Sequence, residues 1–275
     1  MLNIVVCIKQ VPMVTELPWD EKTGTLRRDL AAGMMNPACK RAVEASLQIK
    51  EKRGASITVM TMGPPAAEEV LREALAMGAD RGIFICDPIL AGSDTYATSF
   101  ILAAAIQKEV PGCDLILCGA YTSDSETAQV GPQLAEELNM PAAAYAEHLD
   151  VSGRILRVRR LVDNFRETLE MEFPALVTIS MERYKPRYAS FAGLNMAFME
   201  TDIPVLNAEA LGITAANLEV RGSRTKVRRV FIRKTQKENV MITGAAAIAA
   251  GEFLDRYQQT ISAVIGKSIE AEKQP

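Results

Sequence analysis

The sequence has few of the residue types that build metal centres and catalytic triads. It contains one histidine, His148, in 275 residues, which excludes a multi-histidine metal site. The residues around His148 form no catalytic motif, so a position on the surface or on a β-ribbon is a simpler interpretation than a catalytic role. The cysteines form no Cys-x-x-Cys pair, and we expect neither iron–sulfur nor zinc ligation. They are Cys7, Cys39, Cys86, Cys113 and Cys118.

Long apolar runs and a strong net charge are also absent. No segment reaches the roughly 18 uninterrupted apolar residues of a membrane helix, and Met1 to Ile8 lacks the basic region of a secretory signal. Cys7, Cys86 and Cys118 lie inside apolar runs, as buried thiols of a reducing compartment do. We therefore predict a cytoplasmic protein without membrane insertion. The net charge of −3 provides no positive field for nucleic acid.

The standard nucleotide-binding motifs are missing as well. There is no Gly-x-Gly-x-x-Gly, and Gly266-Lys267-Ser268 lacks the earlier glycine of a Walker loop. Hydride transfer and phosphoryl transfer through those motifs therefore lose support. The sequence does have an ordinary globular composition, with 48% hydrophobic and 24% charged residues, so a large core can form.

Short apolar strands alternate with helices along the first part of the chain. Ile4 to Ile8 is a continuous run rich in Val and Ile, which is typical of a buried parallel strand. Asn36-Pro37 predicts a helix start, because asparagine accepts from first-turn N–H groups and proline lacks the donor that the first turn cannot use. Three further strands and three further helices follow, with the last of these helices predicted over 127–138. The alternation predicts an α/β fold, a doubly wound parallel sheet with helices on both faces.

The pattern changes after the fourth strand. Extended segments flank the turn Val151-Ser152-Gly153, which predicts a small antiparallel extension, and Leu176 to Ser180 is a further buried strand. Helix signals are then few until Ala245 to Ile265. We predict an adenine-nucleotide-binding α/β domain at 1–190 and a partner-binding C-terminal arm at 191–275 that needs another surface to pack on.

The segment from Gly119 to Pro132 has the richest loop chemistry. Ligands of open parallel sheets bind outside the carboxyl ends of the strands, and here a glycine follows the fourth predicted strand. Hydroxyls and amides then precede a helix whose free N–H groups attract a phosphate. Asp124 and Glu126 would repel that phosphate, so we expect them to face a ribose or to cap backbone donors. Ser125, Thr127 and main-chain N–H groups remain for the anion.

Two patterns have alternative interpretations. Ser123-x-x-Glu126 fits a helix capping box as well as it fits ligand binding. The basic run from Arg221 to Lys237 resembles a nucleic-acid stripe, yet only Phe231 interleaves it and the whole chain is acidic. A docking or solvated segment of the arm is the better interpretation, and we expect no nucleic acid partner.

Several short motifs together resemble the beta subunit of electron transfer flavoprotein, over roughly residues 1 to 190 and more loosely in the arm. Each motif is weak alone, and the set is specific. The matching pieces are Cys7-Ile8-Lys9-Gln10-Val11-Pro12, Asn36-Pro37, Met62-Gly63-Pro64, the run from Ala74 to Gly82, Thr127 to Pro132, and Lys185-Pro186-Arg187-Tyr188.

The resemblance implies a heterodimer with an alpha subunit that holds the principal FAD, an adenine-nucleotide site in this chain, and electron exchange with acyl-CoA dehydrogenases. It implies no catalytic acid, base or nucleophile here, because the bound cofactor performs the redox chemistry. Lys9 then either favours reduced, anionic flavin or binds the diphosphate. The implied cofactor-binding residues are Cys7, Lys9, Asn36, Pro37, Ala38, Cys39, Met62, Gly63, Gly119, Ala120, Asp124, Ser125, Glu126, Thr127, Ala128, Gln129 and Val130.

The occupant of that site depends on the branch of the family. Ordinary members hold a structural AMP, whereas electron-bifurcating members hold a second FAD and also meet NADH. Lys9 to Pro12 and Thr127 to Pro132 look more like the bifurcating type, so FAD is expected, with AMP as the alternative and NAD as a further ligand. A nucleotide-binding module without electron transfer is the runner-up, and a purely structural subunit comes third.

Two departures from the family concern contacts with ligand and partner. Tyr121 to Glu126 replaces the sequence that ordinary relatives have there, so the diphosphate contacts differ. The segment after Tyr188 occupies the partner-anchoring loop, but the lysine-rich stretch that follows in some members is missing. By position Phe191 or Leu194 is the apolar anchor, and packing within the arm is an equally good interpretation of both.

Overall fold

A large mixed sheet organises the part of the chain that the computed structural model describes, residues 1–13, 19–20, 25–26, 32–163, 165–225 and 240–271. Its strands, with two small antiparallel pairs, are β1 (Leu2–Cys7), β2 (Gln10–Pro12), β3 (Trp19–Asp20), β4 (Thr25–Leu26), β5 (Gly33–Met35), β6 (Ala55–Met62), β7 (Arg81–Ile85), β8 (Leu115–Gly119), β9 (Ala142–Ser152), β10 (Ile155–Val162), β11 (Phe165–Glu172), β12 (Ala175–Ile179) and β13 (Val205–Leu206). The nine-stranded order is β11-β10-β9-β12-β8-β1-β6-β7-β13, and β2 pairs with β5 and β3 with β4.

The helices begin and end where the sequence supplies the appropriate residues. They are α1 (Pro37–Arg53), α2 (Glu68–Met77), α3 (Thr95–Glu109), α4 (Val130–Glu137), α5 (Phe191–Asn195), α6 (Ala215–Arg221) and α7 (Ala246–Ala271). Pro37 occupies the first turn of α1, and Gly54 ends that helix with φ of 72°. Asp94 caps α3 by accepting from the N–H of Ala97 at 3.0 Å.

Helices cover both faces of the parallel part of the sheet. Successive residues of a strand point to opposite faces, so Ile4 and Val6 pack in a core with α1 and α2, whereas Val5 packs in a second core with α3 and α4. All three side chains are fully buried. Burial of each such side chain stabilises the fold by about 1.5–3 kcal/mol, which explains why β1 is a continuous apolar run. The predicted α/β fold is confirmed.

The antiparallel extension is a ribbon of three strands. β9 pairs in parallel with β12 through its first half, and its second half pairs only with β10, which in turn pairs with β11. His148 lies on β9, directly opposite Arg159 on β10. The prediction of strands on either side of Val151 to Gly153 is therefore confirmed.

The chain forms two compact units, residues 1–230 and residues 231–275. Residues 191–225 belong to the first: β13 pairs with β7, and Arg72 on α2 donates to the carbonyls of Ala197 and Thr201 in the segment after α5. This division falls after the boundary predicted at residue 190. The described part of the second unit contains α7, which begins within the segment predicted to be helical. Among the described residues, no helix is both long and apolar enough to cross a membrane.

Candidate functional site

The order of the strands creates a switch point between β1 and β8. From β1 the chain winds outward through β6 and β7, then returns to the other side of β1 with β8 and β12. Cys7 lies opposite Cys118, so the carboxyl ends of β1 and β8 lie side by side and their outgoing loops diverge. Such a point is where doubly wound sheets bind ligands. The loop that leaves β8, residues 119–130, is named here the switch-point loop.

The first turn of α1 lies directly against the end of β8. A Cβ atom on Gly119 would be 2.7 Å from the backbone nitrogen of Cys39 and 2.8 Å from the carbonyl carbon of Ala38. Neither backbone atom can move without moving the helix. Glycine is therefore required at this position for α1 to approach the switch-point loop so closely.

Asn36 joins the start of α1 to the switch-point loop. Its side-chain amide donates to the carbonyl of Tyr121 at 2.9 Å and accepts from the N–H of Ser123 at 3.1 Å. Its own N–H donates to the carbonyl of Lys9 at 2.8 Å. The predicted helix start at Asn36-Pro37 is confirmed, and so is the place of Pro37 in the first turn. The predicted role of Asn36 is wrong, because its side chain caps no N–H of its own helix.

Lys9 and Asp124 form an ion pair across the crevice. The Lys9 Nζ lies 2.7 and 2.9 Å from the two carboxylate oxygens of Asp124. We expected Asp124 to face a ribose or to cap backbone donors, but in the structure its carboxylate binds Lys9. Burial raises the pKa of Asp124, but hydrogen bonds from Lys9 and Thr122 outweigh it and hold the pKa below its ordinary value. The carboxylate is thus charged and is neutralised locally by Lys9.

The backbone of the switch-point loop has an unusual conformation, with positive φ angles at two residues that are not glycine. The N–H of Glu126 donates to the carbonyl of Thr122 at 2.9 Å, and Glu126 and Ala128 have φ of 50° and 55°. Within the described part of the chain, the N–H groups of Thr127, Ala128 and Gln129 donate to no acceptor. Alternation of the backbone between left- and right-handed conformations aims successive N–H groups into one concavity, which is a binding site for anions.

The helix after this loop starts later than predicted. α4 begins at Val130 instead of Thr127, and its N-cap is Gln129. Ser123 and Glu126 lie well ahead of the helix, so the capping-box interpretation of their spacing is wrong. The Gln129 side chain accepts instead from the hydroxyl of Thr95 at 3.1 Å. The shift arises because two residues with positive φ interrupt the helical path that the apolar spacing suggested.

The predicted cysteines are buried beneath the loops. A hydrogen bond that the Cys7 thiol donates to Cys118, together with burial, raises the pKa of Cys7, and burial raises that of Cys39. Both thiols are protonated and unreactive, so only their backbone groups can contact a ligand. In the described ranges, no cluster of three or more His, Cys, Asp or Glu side chains has the geometry of a metal site.

The remaining predicted residues differ in where they lie and in how exposed they are. Met62 and Gly63 end the strand next to β1 and, among the described contacts, make no hydrogen bond to the switch-point loop. Ala120 is buried and donates its N–H to Ile179 at 2.9 Å. The exposed members are Asp124, Ser125, Glu126, Thr127 and Gln129, while Ala128 and Val130 are half-buried.

Three residues that shape the loop were not predicted. Tyr121 presents the carbonyl that Asn36 binds, the Thr122 hydroxyl lies 2.9 Å from that of Ser125, and Thr95 on α3 holds Gln129. Tyr121 and Thr122 lie within the segment from Gly119 to Pro132, whose hydroxyls and turn residues are a local signal for them. No local pattern in the sequence connects Thr95 with this loop.

Comparison with known proteins gives concordant matches. A family model described as electron transfer flavoprotein domain matches residues 23–211. The chain is 38% identical to the electron transfer flavoprotein subunit beta of Thermoanaerobacterium thermosaccharolyticum, covering 93% of this chain and 97% of that protein. It is 41% identical to the caffeyl-CoA reductase–Etf complex subunit CarD of Acetobacterium woodii, covering 94% and 98%. It is 36% identical to the acryloyl-CoA reductase electron transfer subunit gamma of Anaerotignum propionicum, again covering 94% and 98%.

Proposed function

Because the chain belongs to the electron transfer flavoprotein beta-subunit family, we propose that it holds an adenine nucleotide with its phosphate on the switch-point loop. One observation carries this proposal: the N–H groups of Thr127, Ala128 and Gln129, for which the described residues supply no acceptor, lie on strained backbone at the topological switch point of the sheet. Electron transfer is the function of the family, and a bound flavin supplies the redox chemistry.

The protein's own residues then bind and orient. The three N–H groups and the hydroxyls of Ser125 and Thr127 are the phosphate donors. Asn36 holds the switch-point loop against the start of α1 through two hydrogen bonds. Gly119 allows the first turn of α1 to approach this loop closely. Cys7 and Cys39 contribute backbone only, because their thiols are buried. No residue of this chain is assigned as acid, base or nucleophile.

We propose FAD as the occupant and AMP as the alternative. The motifs from Lys9 to Pro12 and from Thr127 to Pro132 resemble the electron-bifurcating members, in which this subunit carries a flavin, and the same resemblance supports NADH as a reductant of the assembled complex. Two relatives are named as parts of CoA-ester reductase complexes, which supports an acyl-CoA dehydrogenase as the redox partner.

Partner contacts are proposed for two exposed apolar regions. Phe191 is 93% exposed and Leu194 39% exposed, so Phe191 is barely covered by the described residues, which favours Phe191 as the dehydrogenase anchor. In the second unit, Ile248 and Leu254 of α7 are 67% and 54% exposed. We propose that this helix, with the rest of the arm, binds the alpha subunit.

A cytoplasmic location is part of the proposal. All five cysteines are free thiols, and four of them are buried. This usage fits a reducing compartment.

The direct test identifies the bound cofactors. The chain is co-purified with its alpha subunit, the complex is denatured with acid, and the released nucleotides are identified by chromatography and absorbance. FAD beyond one per heterodimer supports the bifurcating carrier, and one FAD with AMP supports the ordinary carrier. Absence of flavin contradicts the carrier and leaves the nucleotide-binding module.

A substitution locates the site. Thr127→Ala removes a proposed phosphate donor and should lower the affinity for the nucleotide about fivefold, since a hydrogen bond to a charged group is worth roughly 1 kcal/mol or more. Thr168→Ala on the exposed strand β11 is the matched control and should leave affinity unchanged. Equal affinities in both variants would place the phosphate elsewhere.

A further inference from the structure

A second concave region lies at the other end of α1. The C-terminal half of α1, the second half of β9 and Tyr184 enclose a cavity of about 250 Å³, named here the basic cavity. Its floor is apolar and consists of Ala45, Ile49, Leu149 and Val151. α1 has 17 residues, so its two ends are about 25 Å apart. The basic cavity is therefore separate from the switch-point loop.

Positive side chains from three different elements surround the basic cavity. Lys52 and Arg53, from the last turn of α1, line it. Arg159, opposite His148 on β10, and Arg183, which precedes Tyr184, are not part of the lining, but both act electrostatically on His148. Among the described residues, none of these four cations has a carboxylate partner. By contrast, Arg157 and Arg160 of the ribbon pair with Glu170 and Glu167 at 2.6 and 2.8 Å. Lys52 and Arg53 thus bring to this concavity positive charge that no described carboxylate neutralises.

Helix electrostatics accounts for only part of this charge. Basic residues in a last helical turn complement the helix dipole, which explains Lys52 and Arg53. It does not explain Arg159 and Arg183, which belong to a strand and a loop. The single acidic residue that lines the cavity, Asp150, also interacts with Arg157. A net positive concavity with low-dielectric walls attracts anions.

Two polar side chains can complete an anion site. The Tyr184 hydroxyl accepts from the N–H of Leu149 at 2.7 Å, which leaves its own proton free to donate. Burial raises the pKa of Tyr184 to about 12, so it keeps that proton at neutral pH. Burial lowers the pKa of His148. The positive charges of Arg159, Lys52 and Arg183 lower this pKa further, whereas the charge of Asp150 raises it. The imidazole is thus neutral at pH 7 and would gain a proton beside a bound anion.

We propose that the basic cavity binds a small organic phosphate, with the phosphate group between Lys52, Arg53 and His148 and the carbon part on the apolar floor. Lys52 and Arg53 in the lining, with Arg159 and Arg183 near His148, supply the attraction, and the Tyr184 hydroxyl is a directional donor. The apolar floor selects an organic phosphate over the free ion, because inorganic phosphate would leave it uncovered. The proposal is independent of the nucleotide site.

His148 provides its own readout, since it is the only histidine of the chain. The full-length chain without a histidine tag gives one set of imidazole signals by NMR, and phenyl phosphate and inorganic phosphate serve as probes. Saturating phenyl phosphate should raise the pKa of His148 by about one pH unit. It should bind roughly tenfold more tightly than inorganic phosphate because of the covered floor. An unmoved His148 signal overturns the proposal.

Charge-matched variants separate a site from general attraction. Lys52→Gln and Arg53→Gln should each weaken the binding of phenyl phosphate about fivefold. Arg166→Gln, the same change of charge on strand β11, should alter the affinity less than about twofold. Equal losses in all three variants would overturn a defined site. Nucleotide retention at the switch-point loop should be unaffected, so failure here is distinguishable from failure of the nucleotide proposal.

Discussion

The two ends of helix α1 border two regions that we propose to bind anions by different means. At the N-terminal end, the charges of Lys9 and Asp124 cancel, and the proposed attraction comes from backbone N–H groups of the switch-point loop. At the C-terminal end, Lys52 and Arg53 have no carboxylate partner in the described ranges, and the proposed attraction comes from side-chain charge. Fixed backbone dipoles resist screening by salt better than exposed charges do.

The two regions should respond differently to amino-acid substitution. A site made of backbone depends on how closely the elements approach, so glycines and buried polar anchors control it. A site made of side-chain charge tolerates small movements and depends on which cations stay unpaired. Between the two ends, near the centre of α1, the buried Glu44 pairs with Arg187.

We expect the largest loss of stability from adding a single carbon atom at Gly119, next to the N-terminal end of α1. Gly119→Ala brings a Cβ to 2.7 Å from the Cys39 nitrogen and forces the helix start away, which should cost about 3 kcal/mol of unfolding free energy and release the nucleotide. Gly82→Ala in β7 is the control, since its Cβ would meet its nearest atom at 3.5 Å. Urea denaturation measures both variants. Similar stability in the two variants would show that the approach of α1 is not critical.

An intermediate effect is expected at the centre of α1. Glu44 is 5% exposed and accepts from Arg187 Nε at 2.8 Å, so Glu44→Gln should cost about 2 kcal/mol. Glu51 binds the same arginine but is 59% exposed, and Glu51→Gln should cost under about 0.5 kcal/mol. Chemical denaturation at pH 7 compares them. A larger loss from Glu51→Gln would be the contrary result.

The same carboxyl gives this prediction a pH dependence. Burial raises the pKa of Glu44, but hydrogen bonds from Arg187 and Gln48 outweigh it and hold the pKa below its ordinary value of 4.5. A lowered folded-state pKa stabilises the protein above pH 4.5, and this stabilisation is lost as pH falls through the folded value. The stability gap between wild type and Glu44→Gln should therefore be full at neutral pH and close on acidification. A gap that does not narrow in acid would contradict this assignment.

The smallest effect concerns the ion pair across the crevice. Asp124→Asn removes a negative charge near the proposed phosphate position and frees Lys9, so AMP should bind about fivefold more tightly, as a partly exposed charge is worth roughly 1 kcal/mol. Asp150→Asn, at the basic cavity, should leave AMP binding unchanged. Calorimetric titration of both variants decides the matter. Weaker binding to Asp124→Asn would mean that the pair orients the loop rather than competing with the ligand.

Much of the fold and part of the site could be predicted from the sequence. The continuous apolar run of β1, the Asn36-Pro37 helix start and the glycine after β8 are local signals, and each lies where it was predicted. The start of α4 was misplaced because positive φ at Glu126 and Ala128 overrides apolar spacing, and neither residue is of a type that favours that conformation.

The sequence by itself determined the alternation of strands and helices, because side-chain periodicity and helix ends depend on residues only a few positions apart. Only the tertiary structure decided which charges pair. Lys9 meets Asp124 across 115 positions and Arg187 meets Glu44 across 143, while Lys52 and Arg53 meet no acidic partner among the residues that the structure describes. Strand order determines which loops share an edge of the sheet, and no local pattern in the chain specifies that order.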